Sequence, residues 1–159
     1  MTDGQKEQFY KFGCVSRCII QLTEWHKNPI SADDFINRFY SHYPQWSQFC
    51  GLLSLSDIID ICRDLKIGRH ANTYRDSAVV RDFFKDVKTS GVFMFSERGF
   101  DGSSTPNYHC SLVGYNNCLW RVWSPATDGK FAECDVENER FDDLVDKSLA
   151  HFLVLRCDR

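Results

Sequence analysis

The hydrophobic period changes once along this chain, near Gly91, and that change restricts the fold more than any other feature. Before it, apolar residues recur every three to four positions, the spacing of helices buried on one side. Val15, Cys18, Ile19, Leu22 and Trp25 form one such stripe, and it stops at Asn28-Pro29 because proline drives the preceding backbone out of helical conformation. Ser31-Ala32-Asp33-Asp34 has the form of a capping box and opens a second helix with Phe35, Ile36, Phe39 and Tyr40 on its apolar face. Ser54, ahead of Asp57, caps a third, with Leu55, Ile58, Ile59, Cys62 and Leu65 inside and Gly68 as its stop. Val79, Val80, Phe83, Phe84 and Val87 predict a fourth.

After Gly91 the signal becomes that of strands. Val92-Phe93-Met94-Phe95 is a short β-rich run, followed by a polar loop from Ser96 to Asn107. Two further runs, Tyr108 to Tyr115 and Cys118 to Ser124, flank Asn116-Asn117, residues that tolerate the positive φ of a two-residue hairpin turn. Strands are expected near Phe131 to Val136 and Phe152 to Leu155, with a short helix around Phe141 to Leu149 between them. Helices first and antiparallel strands second define an α+β fold, with N-terminal helices packed against a C-terminal antiparallel sheet. The 159 residues, with no repeat or linker, make one domain spanning 1–159.

Composition narrows the function classes. Nineteen basic residues nearly balance 22 acidic ones, for a net charge of −3, so no strong field favours nucleic acid or an anionic membrane. The eight cysteines fall below the density of disulfide scaffolds, and most of them are read as reduced. The polar start, Met1 to Gln8, lacks the apolar stretch of a secretory signal, and no apolar run is long enough to span a membrane. The expectation is a cytoplasmic protein, or one delivered into a host cytoplasm by a Sec-independent route. No zinc-type Cys/His spacing, phosphate-binding glycine loop or dinucleotide fingerprint occurs, so neither a metal nor a cofactor is expected.

Cys14 follows Gly13 at the start of the first apolar stripe. Unpaired N–H groups and the helix dipole favour a thiolate there, and thiolate is the nucleophilic form. With Asn116 and Asn117 as the hairpin turn, Tyr115 faces Cys118 and His109 faces Ser124, which gives the histidine a hydroxyl neighbour. The other histidines are less well placed: His26 at a helix end, His42 and His70 in loop-like stretches, His151 opening a terminal strand.

These residues carry a resemblance. Gly13-Cys14-Val15-Ser16-Arg17-Cys18-Ile19-Ile20 resembles the nucleophile segment of papain-like cysteine peptidases, nearest the bacteriocin-leader peptidase branch. His109-Cys110-Ser111-Leu112-Val113-Gly114-Tyr115 resembles the strand that histidine opens in that superfamily and that a Gly-Tyr pair leads into the turn. The resemblance implies Cys14 as nucleophile, His109 as base and Gln8, six residues before Cys14, as oxyanion donor. Ser124-Pro125 stands where the family ends its second hairpin strand in Asp-Pro or Asn-Ser, so the residue orienting His109 is open between Ser124 and Asp128, with Asp101 behind them. Val15 and Arg17 replace small residues of the family pattern. The resemblance implies a hydrolase of amide or peptide bonds acting on a protein or peptide. Glutamine deamidation, acyl transfer and an inactive pseudoenzyme that binds a protein are the alternatives.

Overall fold

A computed structural model of the chain describes residues 1–40, 54–100 and 106–157. The order of elements is α1 (Asp3–Phe12), α2 (Cys14–Trp25), α3 (Ala32–Phe39), α4 (Leu55–Asp64), β1 (His70–Tyr74), α5 (Ser77–Phe83), β2 (Thr89–Arg98), β3 (Pro106–Asn116), β4 (Leu119–Pro125), β5 (Phe131–Glu137), α6 (Asn138–Ser148) and β6 (His151–Arg156). The fold is α+β, and the six strands among the described residues form one antiparallel sheet in the order β1-β6-β2-β3-β4-β5.

Local chemistry sets the helix starts. Ser31 accepts a hydrogen bond from Asp34 N, and Ser54 and Asp57 close a reciprocal capping box. The same device at Thr2 and Gln5 opens α1, in a stretch read from sequence as a polar terminus. The misreading has a physical cause: Phe9 is the one buried residue of α1, so the helix has no apolar stripe and rests on its cap. Strand β1 also escaped the pattern. Its five residues, His70 among them, lie at the sheet edge with no apolar alternation. Helix α5 stops at Phe83, short of Val87, which is 97% exposed and belongs to no apolar face.

Strand β2 runs on to Arg98 through residues expected in a loop, because β3 also begins early and pairs Ser96 with His109. The β3–β4 turn is also displaced from its expected place. It falls on Asn117-Cys118, at φ 50° and 63°, and pairs Asn116 with Leu119 and Val113 with Val122. Trp123 helps to fix this register: its ring packs over Gly114, within 3.1 Å of where a Cβ would stand. A side chain there would displace the tryptophan.

The sheet is covered on both faces. Under α1 to α4 lies one core, built by Ile19, Leu22 and Phe35 with Phe93, Leu112 and Leu153 from the strands. Under α5 and α6 lies a second, around Trp120, stacked on Phe141 at 4.1 Å, with Val113, Val122 and Phe152. The sequence reading anticipated the first layer and not the second. Alternate residues of each strand serve opposite cores, as a period of two requires. Among the described residues, no helix is long and apolar enough to cross a membrane.

Candidate functional site

Gly13 is at once the C-cap of α1 and the N-cap of α2, so the two helices are joined by a single residue. Its N–H donates to Phe9 O at 2.8 Å, and a Cβ there would stand 2.6 Å from the same oxygen. This close junction fixes where Cys14, the first residue of α2, emerges. One helical turn on, the buried Cys18 Sγ donates to Cys110 O at 3.6 Å and ties α2 to β3.

The helix start was expected to favour a thiolate at Cys14. The opposite holds: burial pushes the thiol up to about 11, and nearby Cys18 adds to the rise, against backbone hydrogen bonds from Cys110, Val15 and Cys14 itself that pull it down. Desolvation outweighs the helix terminus because the sulfur is packed against the inner core. One of those bonds comes from the peptide joining His109 to Cys110, so Cys14 meets β3 beside the histidine.

His109 is held on its other side. Its Nε2 is hydrogen-bonded to Ser124 Oγ at 2.7 Å, and Ser124 Oγ is bonded to Ser111 Oγ at 3.0 Å. Ser124 is thus the imidazole's neighbour, although the observed register makes the contact diagonal rather than directly across. Ser111, 2% exposed, went unnoticed in the sequence; the available signal was its place two residues after His109, on the same face of the strand. Burial, then the charge of Arg17, lowers the proton affinity of the imidazole. The resting pair is therefore a neutral thiol and a neutral imidazole.

The pleat separates the two groups. Cys110 and Leu112 serve the core under α2 and Val113 serves the core under α6, so His109 and Ser111 belong to the α6 side of β3. Cys14 approaches from the α2 side and reaches the strand backbone. Among the described residues, no hydrogen bond joins Cys14 to His109. Beyond Leu112–Trp123 the pairing of β3 with β4 ends, and Ser124 pairs with Ala132 of β5, so β3 has no β4 ladder beside His109.

Gln8 lies exposed on α1 in an ordered helix, not in a frayed terminus. Asp128 is exposed in the β4–β5 turn, where its carboxylate accepts from Lys130 N at 2.9 Å. Asp101 and His42 lie outside the described residues. Of the other histidines, His26 Nε2 bonds Ser90 O at 3.1 Å and His151 stacks on Phe95 at 5.2 Å. Among the described residues, no three His, Cys, Asp or Glu side chains gather as a metal site. No family model, curated protein or solved structure matches the chain.

Proposed function

We propose that the chain is a cysteine hydrolase of papain-like architecture acting on an amide or peptide bond. One arrangement carries the reading: Cys14 opens α2 and packs against the core to which Cys110 belongs, next along β3 from His109, an imidazole held through Nε2 by Ser124. With Nε2 so engaged, Nδ1 is the nitrogen left to act as base. His109 takes the Cys14 proton as the sulfur adds to the substrate carbonyl, and the Gln8 amide with the Cys14 N–H holds the oxyanion. His109 then protonates the departing amine, and water releases the acyl group from sulfur. Because both groups rest neutral, the proton moves during attack, not before it. Because no hydrogen bond joins Cys14 to His109 at rest among the described residues, engagement requires the two groups to approach each other when substrate binds.

A second reading rests on the same separation. A thiol held at about 11 and not bonded to the histidine is what an inactive, protein-binding relative would retain. The two are told apart by incubating the protein and Cys14→Ala with a mixed peptide and glutamine-amide substrate pool and following products by mass spectrometry. Turnover lost in Cys14→Ala supports the hydrolase. A wild-type protein without turnover, whose Cys14 alkylates no faster with peptide present than without, supports the binding module.

A further inference from the structure

Arg17 is 5% exposed, and a buried guanidinium is unfavourable unless its donors are paired. Its partners are carbonyls: Nη1 donates to Tyr10 O at 3.1 Å and to Ala126 O at 2.5 Å, and Nη2 donates to Lys130 O at 2.8 Å. Its guanidinium carbon lies 5.3 Å from the Tyr10 ring centroid and 5.5 Å from that of Phe131. The Tyr10 ring in turn packs on Gly129, whose φ of 86° lets the β4–β5 turn close. One side chain thereby joins the end of α1, the first turn of α2 and the turn that leaves β4.

Those three pieces carry the candidate site. Arg17 is one helical turn from Cys14, and Ala126 is two residues beyond Ser124. Lysine cannot replace it, since one ammonium on a flexible stem does not reproduce a rigid fork that reaches three carbonyls. We propose that Arg17 is a positioning residue, whose carbonyl fork sets the Cys14 helix against the Ser124-bearing strand end. Its catalytic meaning rests on the hydrolase reading, whereas its effect on His109 does not.

The charged and titratable groups around this fork are Cys14 and Cys18 on α2, Tyr10 on α1 and Asp128 in the turn. On His109 itself, the charge that acts is Arg17, and it opposes protonation. The test compares Arg17→Met and Arg17→Lys with wild type in the full chain. His109 is followed by NMR of ring-labelled histidine, the fold by melting temperature, and turnover by kcat and KM separately. Loss of the charge in Arg17→Met moves the His109 titration upward, and Arg17→Lys leaves it close to wild type. Both lose kcat, by about 10²-fold for a misplacement near 1 Å, with KM little changed. Should Arg17→Met not fold, Tyr10→Leu loosens the clamp while keeping the guanidinium, and kcat falls with the His109 titration unmoved. A folded Arg17→Met with an unmoved His109 titration, or a Tyr10→Leu with wild-type kcat, overturns the proposal. Absence of turnover in wild type with the titration shift intact overturns the hydrolase reading alone.

Discussion

Replacing Gly13 by alanine tests the helix junction, because backbone entropy and packing predict opposite signs. At φ −82° and ψ 34° alanine has no backbone objection, and on entropy alone the change stabilises by about 0.4–1 kcal/mol. Packing says otherwise. The new methyl meets Phe9 O at 2.6 Å and the Phe9 ring at 3.0 Å. That oxygen is backbone, already bound to the Gly13 N–H, and cannot turn aside as a flexible side chain would. Overpacking of this kind costs about 1–3 kcal/mol, so with the entropic gain set against it the net expectation is a loss of about 1 kcal/mol. For a chain of this size that lowers the melting temperature by about 2–4 °C. Gly4 supplies the control within the preceding helix: nothing lies within 4 Å of its added Cβ, and Gly4→Ala gains about 0.5–1 kcal/mol. Thermal unfolding of the two variants side by side reads both signs. A Gly13→Ala protein that melts at or above wild type would refute the reasoning, and Cys14 would then owe its position to something other than this junction.

Ser124→Ala removes the imidazole's hydrogen bond and should lower turnover, while Asp128→Ala, whose carboxylate closes its own turn, should leave turnover near wild type and cost a little stability; steady-state rates and melting curves of both variants check this. Gln8→Ala should lower kcat by about 10²–10³-fold without changing the alkylation rate of Cys14, since an oxyanion donor acts on the intermediate; equal kcat removes Gln8 from the site. Alkylation of Cys14, followed by peptide mapping, should keep rising past pH 9 and level off near 11. The same proton favours the fold: a thiol near 9.0 when unfolded and about 11 when folded contributes stability below pH 9 that fades as pH climbs towards 11, and Cys62, pushed up to about 12 by burial, has the same sign. Denaturation midpoints across that window that stay flat would contradict it.

The readable parts of the sequence were those whose information is local. Ser31 and Ser54 declare their helices within three residues, and the stripe from Val15 to Trp25 needs only its own turn to be recognised. Helix α1 hid because a cap without an apolar face carries no period, and β1 because an edge strand need not alternate. The hairpin turn slid to Asn117-Cys118, which sets a cysteine at a positive φ that its type does not favour, and Trp123 lying over Gly114 accompanies that register. Cys14 and His109 could be singled out by position along the chain. Which side of β3 each approaches depends on how α2 docks, and so does the burial that reverses the expected thiol shift. Arg17 did leave a trace: it is the one Lys or Arg of α2, inside the turn between Val15 and Cys18.

The order of the strands has a consequence for biosynthesis. Strand β6, the last element of the sheet to be made, inserts between β1 and β2 and pairs with both. Until His151 to Arg156 has left the ribosome, β1 has no partner and β2 presents an open edge, with Val92, Phe93 and Met94 waiting for the residues that will bury them. A nascent chain stalled before this point holds its helices and the β2–β5 meander but no closed core on either face, and its open edge invites pairing with another chain. The protein must therefore complete its fold after synthesis of β6, and a short interruption there leaves the whole sheet divided.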